Sequence, residues 1–131
     1  MSSFSKPGTG GDRLDYETVN GALLLFTVHG VKSGIPTAFG DKDAVEADVA
    51  VLDGPHKGDV YNDCLVFPLV LQGQLRGLDV VLGRLGQGVP KPGQKPPWRL
   101  NDPTEADEVI GEKYLAYAEA QERVQAEEAP F

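Results

Sequence analysis

Residues 44–52 alternate along their length: Val45, Ala47, Val49 and Val51 fall on one face, Glu46 and Asp48 on the other. A two-residue period predicts a strand with one buried and one wet face. Residues 22–28 (ALLLFTV) are apolar at nearly every position, which predicts a strand covered on both faces within Gly21–Val28. Between these two runs, Val31–Asp43 mixes glycine, proline and charge, and reads either as a long loop or as a ragged hairpin arm. Asp53-Gly54-Pro55-His56-Lys57-Gly58 is dense in turn residues and leads into a strand over Asp59–Phe67, completing a hairpin. Pro68 then starts a short helix over Leu69–Arg76, which Gly77 ends. Val80–Gln87 reads as a strand loosened by Gly83 and Gly86. Gly88–Pro97 holds too much proline and glycine for regular structure, and Trp98-Arg99-Leu100 returns as a short strand.

The last element has the sharpest start signal. Asp102 is placed to cap a helix, with Pro103 in its first turn and Glu105 as the reciprocal capping-box partner. Ala106, Val109, Ile110, Tyr114, Leu115 and Tyr117 predict an apolar stripe, with helix running to about Val124. Three meandering strands, a short helix, two further strands and an added C-terminal helix give the connectivity of a five-stranded OB-fold barrel. Another small β-barrel or sandwich, SH3-like above all, is the alternative. The expected division is a flexible N-terminus over 1–12, the OB-fold domain over 13–101, a helix over 102–124 and an acidic tip over 125–131.

The chain has 131 residues and a net charge of −8, which at first argues against a nucleic-acid partner. Its distribution changes that picture. Residues 101–131 carry nine acids and two bases, whereas residues 1–100 carry eleven acids and ten bases and are nearly neutral. Residues 80–100 hold Arg84, Lys91, Lys95 and Arg99 without one carboxylate. A near-neutral body with a basic segment and a segregated acidic tail behaves unlike a uniformly acidic protein. No apolar run approaches the ~18–20 residues a membrane span needs. The N-terminal residues lack the apolar centre of a secretory signal. The single cysteine, Cys64, lies in an apolar run, fits a reducing cytoplasm and reads as a core residue.

Catalytic signatures are missing, so an enzyme is not expected. His29 falls at a strand end and His56 in a turn, and both read as surface residues. Asp41, Asp43, Glu46 and Asp48 lack the glycine and terminal glutamate of an EF-hand loop. No metal and no cofactor is expected. Binding is better supported. Sequence-tolerant single-strand binders combine a cationic track with aromatic rings on which bases stack. Arg84, Lys91, Lys95 and Arg99 supply the charge beside Trp98, which reads equally as a stacking ring and as a core plug. Lys32, Phe39 and Lys42 in the preceding connection, Lys57 in the turn and Tyr61 on the third strand complete the candidate DNA-binding set. Phe26 and Phe67 read as core. Glu46, Asp48 and Asp63 count against a DNA track on their own face.

Glu127-Glu128-Ala129-Pro130-Phe131 ends the chain on two carboxylates, a stiff proline and an aromatic ring. It reads as a frayed acidic terminus or as a portable ligand for a protein partner, carried by Glu127, Glu128, Pro130 and Phe131. Together with the OB-like order and the Gly-Gln-Lys-Pro-Pro-Trp-Arg-Leu and Asp-Pro-Thr-Glu-Ala-Asp stretches, this end resembles that of the single-stranded DNA-binding proteins, in particular a phage-type group. The resemblance implies a non-enzymatic protein of the cytoplasm, the host's if phage-encoded. Such a protein coats single-stranded DNA during replication, recombination and repair, as a homo-oligomer (dimer or tetramer), and recruits partner proteins through its tip. Two departures stand out. A charged helix replaces the family's long flexible linker, and the tip carries Glu-Glu where the family more often has Asp. The rival classes are a structural or adaptor β-barrel of a virion and an acidic DNA mimic.

Overall fold

The computed structural model describes the backbone of residues 12–128 and the side chains of residues 12–120. Five strands, β1 (Leu23–Thr37), β2 (Gly40–Val51), β3 (Val60–Val66), β4 (Val80–Gln87) and β5 (Trp98–Asn101), form one antiparallel sheet in the order β3-β2-β1-β4-β5. Helix α1 (Leu69–Leu75) joins β3 to β4, and α2 (Glu105–Glu128) follows β5. The expected element order is therefore present, with one added stretch. Val31–Asp43 is strand on both sides of a tight turn: Thr37 Oγ1 donates to the Gly40 carbonyl at 2.6 Å and accepts the Phe39 N–H at 3.1 Å, while Gly40 takes φ +96°. Beyond Lys32 this arm is largely exposed on both faces.

The main core lies on one face of the sheet, which we call inner. Leu24 and Phe26 of β1, Val45, Ala47, Val49 and Val51 of β2, Cys64 and Val66 of β3, Leu85 of β4 and Leu100 of β5 are buried there together with Leu71 and Leu75 of α1. The inner positions of β2 are as expected, but its other face is not uniformly wet: Ala44 and Ala50 are buried and Glu46 and Asp48 half-buried. Gly83 belongs to this face because a Cβ there would stand 2.9 Å from Leu100 Cβ and 3.1 Å from the Asn101 carbonyl.

β3 and β5 do not pair, so the sheet is not closed into the expected barrel. Other groups meet both free edges. The Gln74 side chain donates to the Leu100 carbonyl and accepts the Leu100 N–H, both at 2.8 Å, and so satisfies the edge of β5 from α1. On β3, Asn62 exchanges two 2.8 Å bonds with Asp12, one through the Asp12 N–H and one through its carboxylate. Each edge strand thereby has one residue whose outward backbone groups are paired.

The opposite, outer face is divided. Leu23, Leu25, Ala50 and Leu52 form a smaller apolar cluster there, packed with Leu82 and Tyr114 of α2. Beyond it the register slips at three places: on β1 between Val28 and Gly30, on β2 between Ala47 and Val49 where β3 holds an extra residue, and on β1 again between Lys32 and Ile35. Asp63, in that second bulge, has φ +54°.

Helix α2 departs from the expectation at its start and along its flank. Its box is Thr104 with Asp107, not Asp102 with Glu105: Asp107 N–H donates to Thr104 Oγ1 at 3.1 Å and Thr104 N–H to Asp107 Oδ2 at 3.0 Å. Val109, Ile110, Leu115 and Tyr117 of the predicted stripe are exposed, whereas Asp107 and Gly111 are buried and Tyr114 half-buried. Gly111 allows the approach, since a Cβ there would lie 2.8 Å from Leu82 Cδ2. The helix also continues past Val124 to Glu128. Among the described residues no helix is long and apolar enough to cross a membrane.

Candidate nucleic-acid interface

The acid-free segment of the sequence becomes a hairpin. Gln87 pairs with Trp98, and the Gly88 N–H reaches the Pro97 carbonyl at 2.8 Å to close the base of the β4–β5 loop. Within it, Lys91-Pro92-Gly93-Gln94 forms a four-residue turn in which Gln94 N–H donates to the Lys91 carbonyl at 3.0 Å and Gly93 has φ +77°. Proline second and a positive-φ glycine third are what a type II turn requires. Lys91 and Lys95 are thereby carried on an exposed loop with a hydrogen-bonded turn.

Trp98 is half-buried. Its ring stacks on Tyr16, centroids 5.8 Å apart with 26° between planes, and packs against the main core. The pair lines a cleft of about 1030 Å³ whose wall also carries Arg13, the carboxylate residues Asp12, Asp15 and Glu17, and Phe67. Burial pushes the Tyr16 hydroxyl well above the ordinary phenol range. Trp98 thus packs on the core and also lines the cleft. Arg99 projects from the other face of β5 and is exposed.

Two of the expected cations have carboxylate partners. Arg84 Nη2 stands 2.9 Å from Asp53 and 2.8 Å from Asp107, and Nη1 donates to the Gly21 carbonyl at 2.8 Å. This network ties the first turn of α2 to β4 and to the end of β2. Burial pushes the Asp53 carboxyl up, but the Leu23 N–H and Arg84 outweigh it and hold the group below its usual range. The Thr104 N–H first, and Arg84 second, hold Asp107 down. Lys32 forms a 2.7 Å pair with Glu46. By contrast, Lys42, Lys57, Lys91, Lys95 and Arg99 make no ion pair among the described residues.

Strand direction separates the rest. β1 begins beside the end of β4 and beside the end of β2, so the β2–β3 turn with Lys57 shares one end of the sheet with the β4–β5 loop. Phe39, 87% exposed, and Lys42 sit at the opposite end, on the β1–β2 hairpin. Tyr61 packs against the main core on the inner face, because the bulge at Asn62–Asp63 places it in phase with Cys64. Glu127 and Glu128 fall in the last turn of α2, while their side chains, Pro130 and Phe131 lie outside the described residues.

Residues that the sequence did not single out complete the picture. Tyr16 and Arg13 come from a segment without periodicity, where only the proximity of a ring to a cation gives any signal. A second cleft of about 730 Å³ lies between α2 and the β2–β3 turn, lined by Lys57, Val60, Ile110, Lys113, Tyr114 and Tyr117. Cys64 is buried, and desolvation pushes its thiol up to about 12, which removes it as a nucleophile. No known protein family, characterised protein or solved structure matches the chain.

Proposed function

We propose that this protein binds single-stranded DNA without sequence preference and protects it during replication, recombination or repair, in the cytoplasm of a phage-infected cell. One observation carries the reading: an exposed, carboxylate-free loop bearing Lys91 and Lys95 runs directly into Trp98, which with Tyr16 forms a ring pair lining an open cleft. Cations for phosphates next to rings for bases are the two requirements of such binding. We further infer that the sheet curls as a partly open OB-type barrel. Its support is the strand order, with β1 shared between β2 and β4 and a helix between β3 and β4. Assembly as a dimer or tetramer and recruitment of partner proteins by the Pro-Phe tip belong to the same reading. The buried, unpaired Cys64 suits a reducing compartment.

Because Arg84 and Lys32 already hold carboxylates, the phosphate track reduces to Lys57, Lys91, Lys95 and Arg99, with Lys42 from the far hairpin. With three to five of these engaged, affinity falls about 100- to 3,000-fold for a tenfold rise in salt, at ~0.7 log units per neutralised phosphate. The test is a titration of Trp98 fluorescence, the chain's single indole, with oligo-dT at low and high salt, repeated with duplex of equal length. Salt-sensitive quenching by the single strand, weaker with duplex, is expected. An unchanged signal at low salt, with no mobility shift, overturns the proposal.

A second reading, a protein-docking module, has one observation in its favour. Val109, Leu115 and Tyr117 stand 49%, 42% and 61% exposed along an acidic helix. It predicts self-association or partner capture that the triple change to serine abolishes, with no response to DNA.

A further inference from the structure

Two of the three register shifts in the sheet fall at the same level. One frees His29 on β1, the other Asp63 on β3, and Asp48 of β2 lies between them. Bulges re-aim side chains that a regular strand would keep apart. Here they bring His29 Nε2 to 3.0 Å from Asp48 Oδ1 and to 3.6 Å from Asp63 Oδ1, with the three ligand atoms all within 4.8 Å of one another. We propose that His29, Asp48 and Asp63 form a binding site for one divalent transition-metal ion of the zinc, cobalt or manganese class.

The two His29 separations suit the ion. A tetrahedral centre with ligands at about 2.0–2.1 Å keeps them about 3.3 Å apart, and the two His29 separations fall on either side of that spacing. The donor set gives the class. An imidazole nitrogen with two carboxylates suits zinc, cobalt or manganese, whereas calcium takes six to eight oxygens and magnesium keeps most of its water. Three protein ligands leave a coordination position open to solvent, where water or an anionic oxygen can bind. Glu46, the other carboxylate nearby, is occupied by Lys32 at 2.7 Å and is not counted as a ligand. Cys64 follows Asp63 in sequence but is buried on the inner face. The competing description is an imidazolium bridging two carboxylates, in which a proton holds the place of the ion.

Asp63 offers a clean test because its φ of +54° is a conformation that glycine adopts without strain. Asp63→Gly removes a ligand while relieving the backbone, and His29→Gln removes another while keeping a polar contact to Asp48. The full chain, stripped with chelator, is titrated with zinc chloride by calorimetry and with cobalt chloride by visible absorption. The wild type is expected to take up one ion per chain with micromolar affinity and to show cobalt d–d bands without thiolate charge transfer. Each variant is expected to bind about tenfold more weakly or worse, with its unfolding midpoint kept or, for Asp63→Gly, raised. No saturable uptake by the wild type, equal affinity in both variants, or a thiolate band overturns the proposal. No nucleic acid enters this experiment, so the metal site and the DNA-binding reading can fail separately.

Discussion

The two faces of the sheet are held by different physics. On the inner face, Leu24, Phe26, Val49, Val66, Leu71, Leu75 and Leu85 are each at most 1% exposed and fill one continuous core. On the outer face a small apolar cluster lies under α2, and the helix is fixed there by Arg84 between Asp53 and Asp107, by the Thr104–Asp107 box and by the close approach of Gly111 to Leu82. The inner face should therefore answer to volume, and the outer face to charge and pH.

The largest effect is expected inside. Phe26→Ala should cost about 3–5 kcal/mol in denaturant unfolding, the range for emptying a buried aromatic site. Leu82→Ala, under α2 on the half-buried face, should cost less than half as much. Equal losses would show that α2 covers a second true core.

Next comes the charge network. Arg84→Met strips both carboxylates of their cation, and the loss should be about 1–2 kcal/mol at neutral pH, discounted because the guanidinium keeps contact with solvent. The pH dependence follows from the depressed carboxyls of Asp53 and Asp107. A group held below its usual value contributes stability above the ordinary carboxylate range and loses it as pH falls through the folded value. The gap between wild type and Arg84→Met should thus be full at neutral pH and shrink below about pH 4. A gap that persists in acid would assign the role of Arg84 to packing of its stem.

Thr104→Ala should be smaller, at about 1 kcal/mol for a lost cap, and local. Amide exchange should quicken in the first turn of α2 and leave β1–β3 unchanged.

The same contrast explains what the sequence could show. The two-residue period of β2 and the doubly apolar β1 run specify inner and outer burial directly, and Pro68 and Gly77 bracket α1. The hairpin arm after Lys32 is ambiguous because its few apolar residues, Ile35, Ala38 and Phe39, do not alternate and neither face is buried. The seating of α2 was misread because a glycine and a buried aspartate select that helix face, and neither enters a hydrophobic pattern. Tyr16 meets Trp98 across the whole chain. His29, Asp48 and Asp63 converge only through two bulges, each a break in the period that sequence reading relies on. The candidate cations were visible as residues, but which of them already held a carboxylate depended on pairs as far apart as Arg84 and Asp53.

That last distinction gives the prediction with the least effect on stability. Counterions are released only from phosphates that meet a cation still free to receive them. Neutralising Lys91 and Lys95 together should lower the salt slope of oligo-dT binding by about 1.4, at ~0.7 per phosphate, while the unfolding midpoint stays put. Lys32→Ala should leave the slope unchanged, because Glu46 already faces that ammonium at 2.7 Å. The exposed lysines and the paired one have the same intrinsic chemistry, so any difference between them isolates the environment. If Lys32→Ala flattens the slope as much as the double change, the Lys32–Glu46 pair opens for DNA and the track crosses the outer face. If neither variant alters it, the β4–β5 loop is not where the phosphates lie.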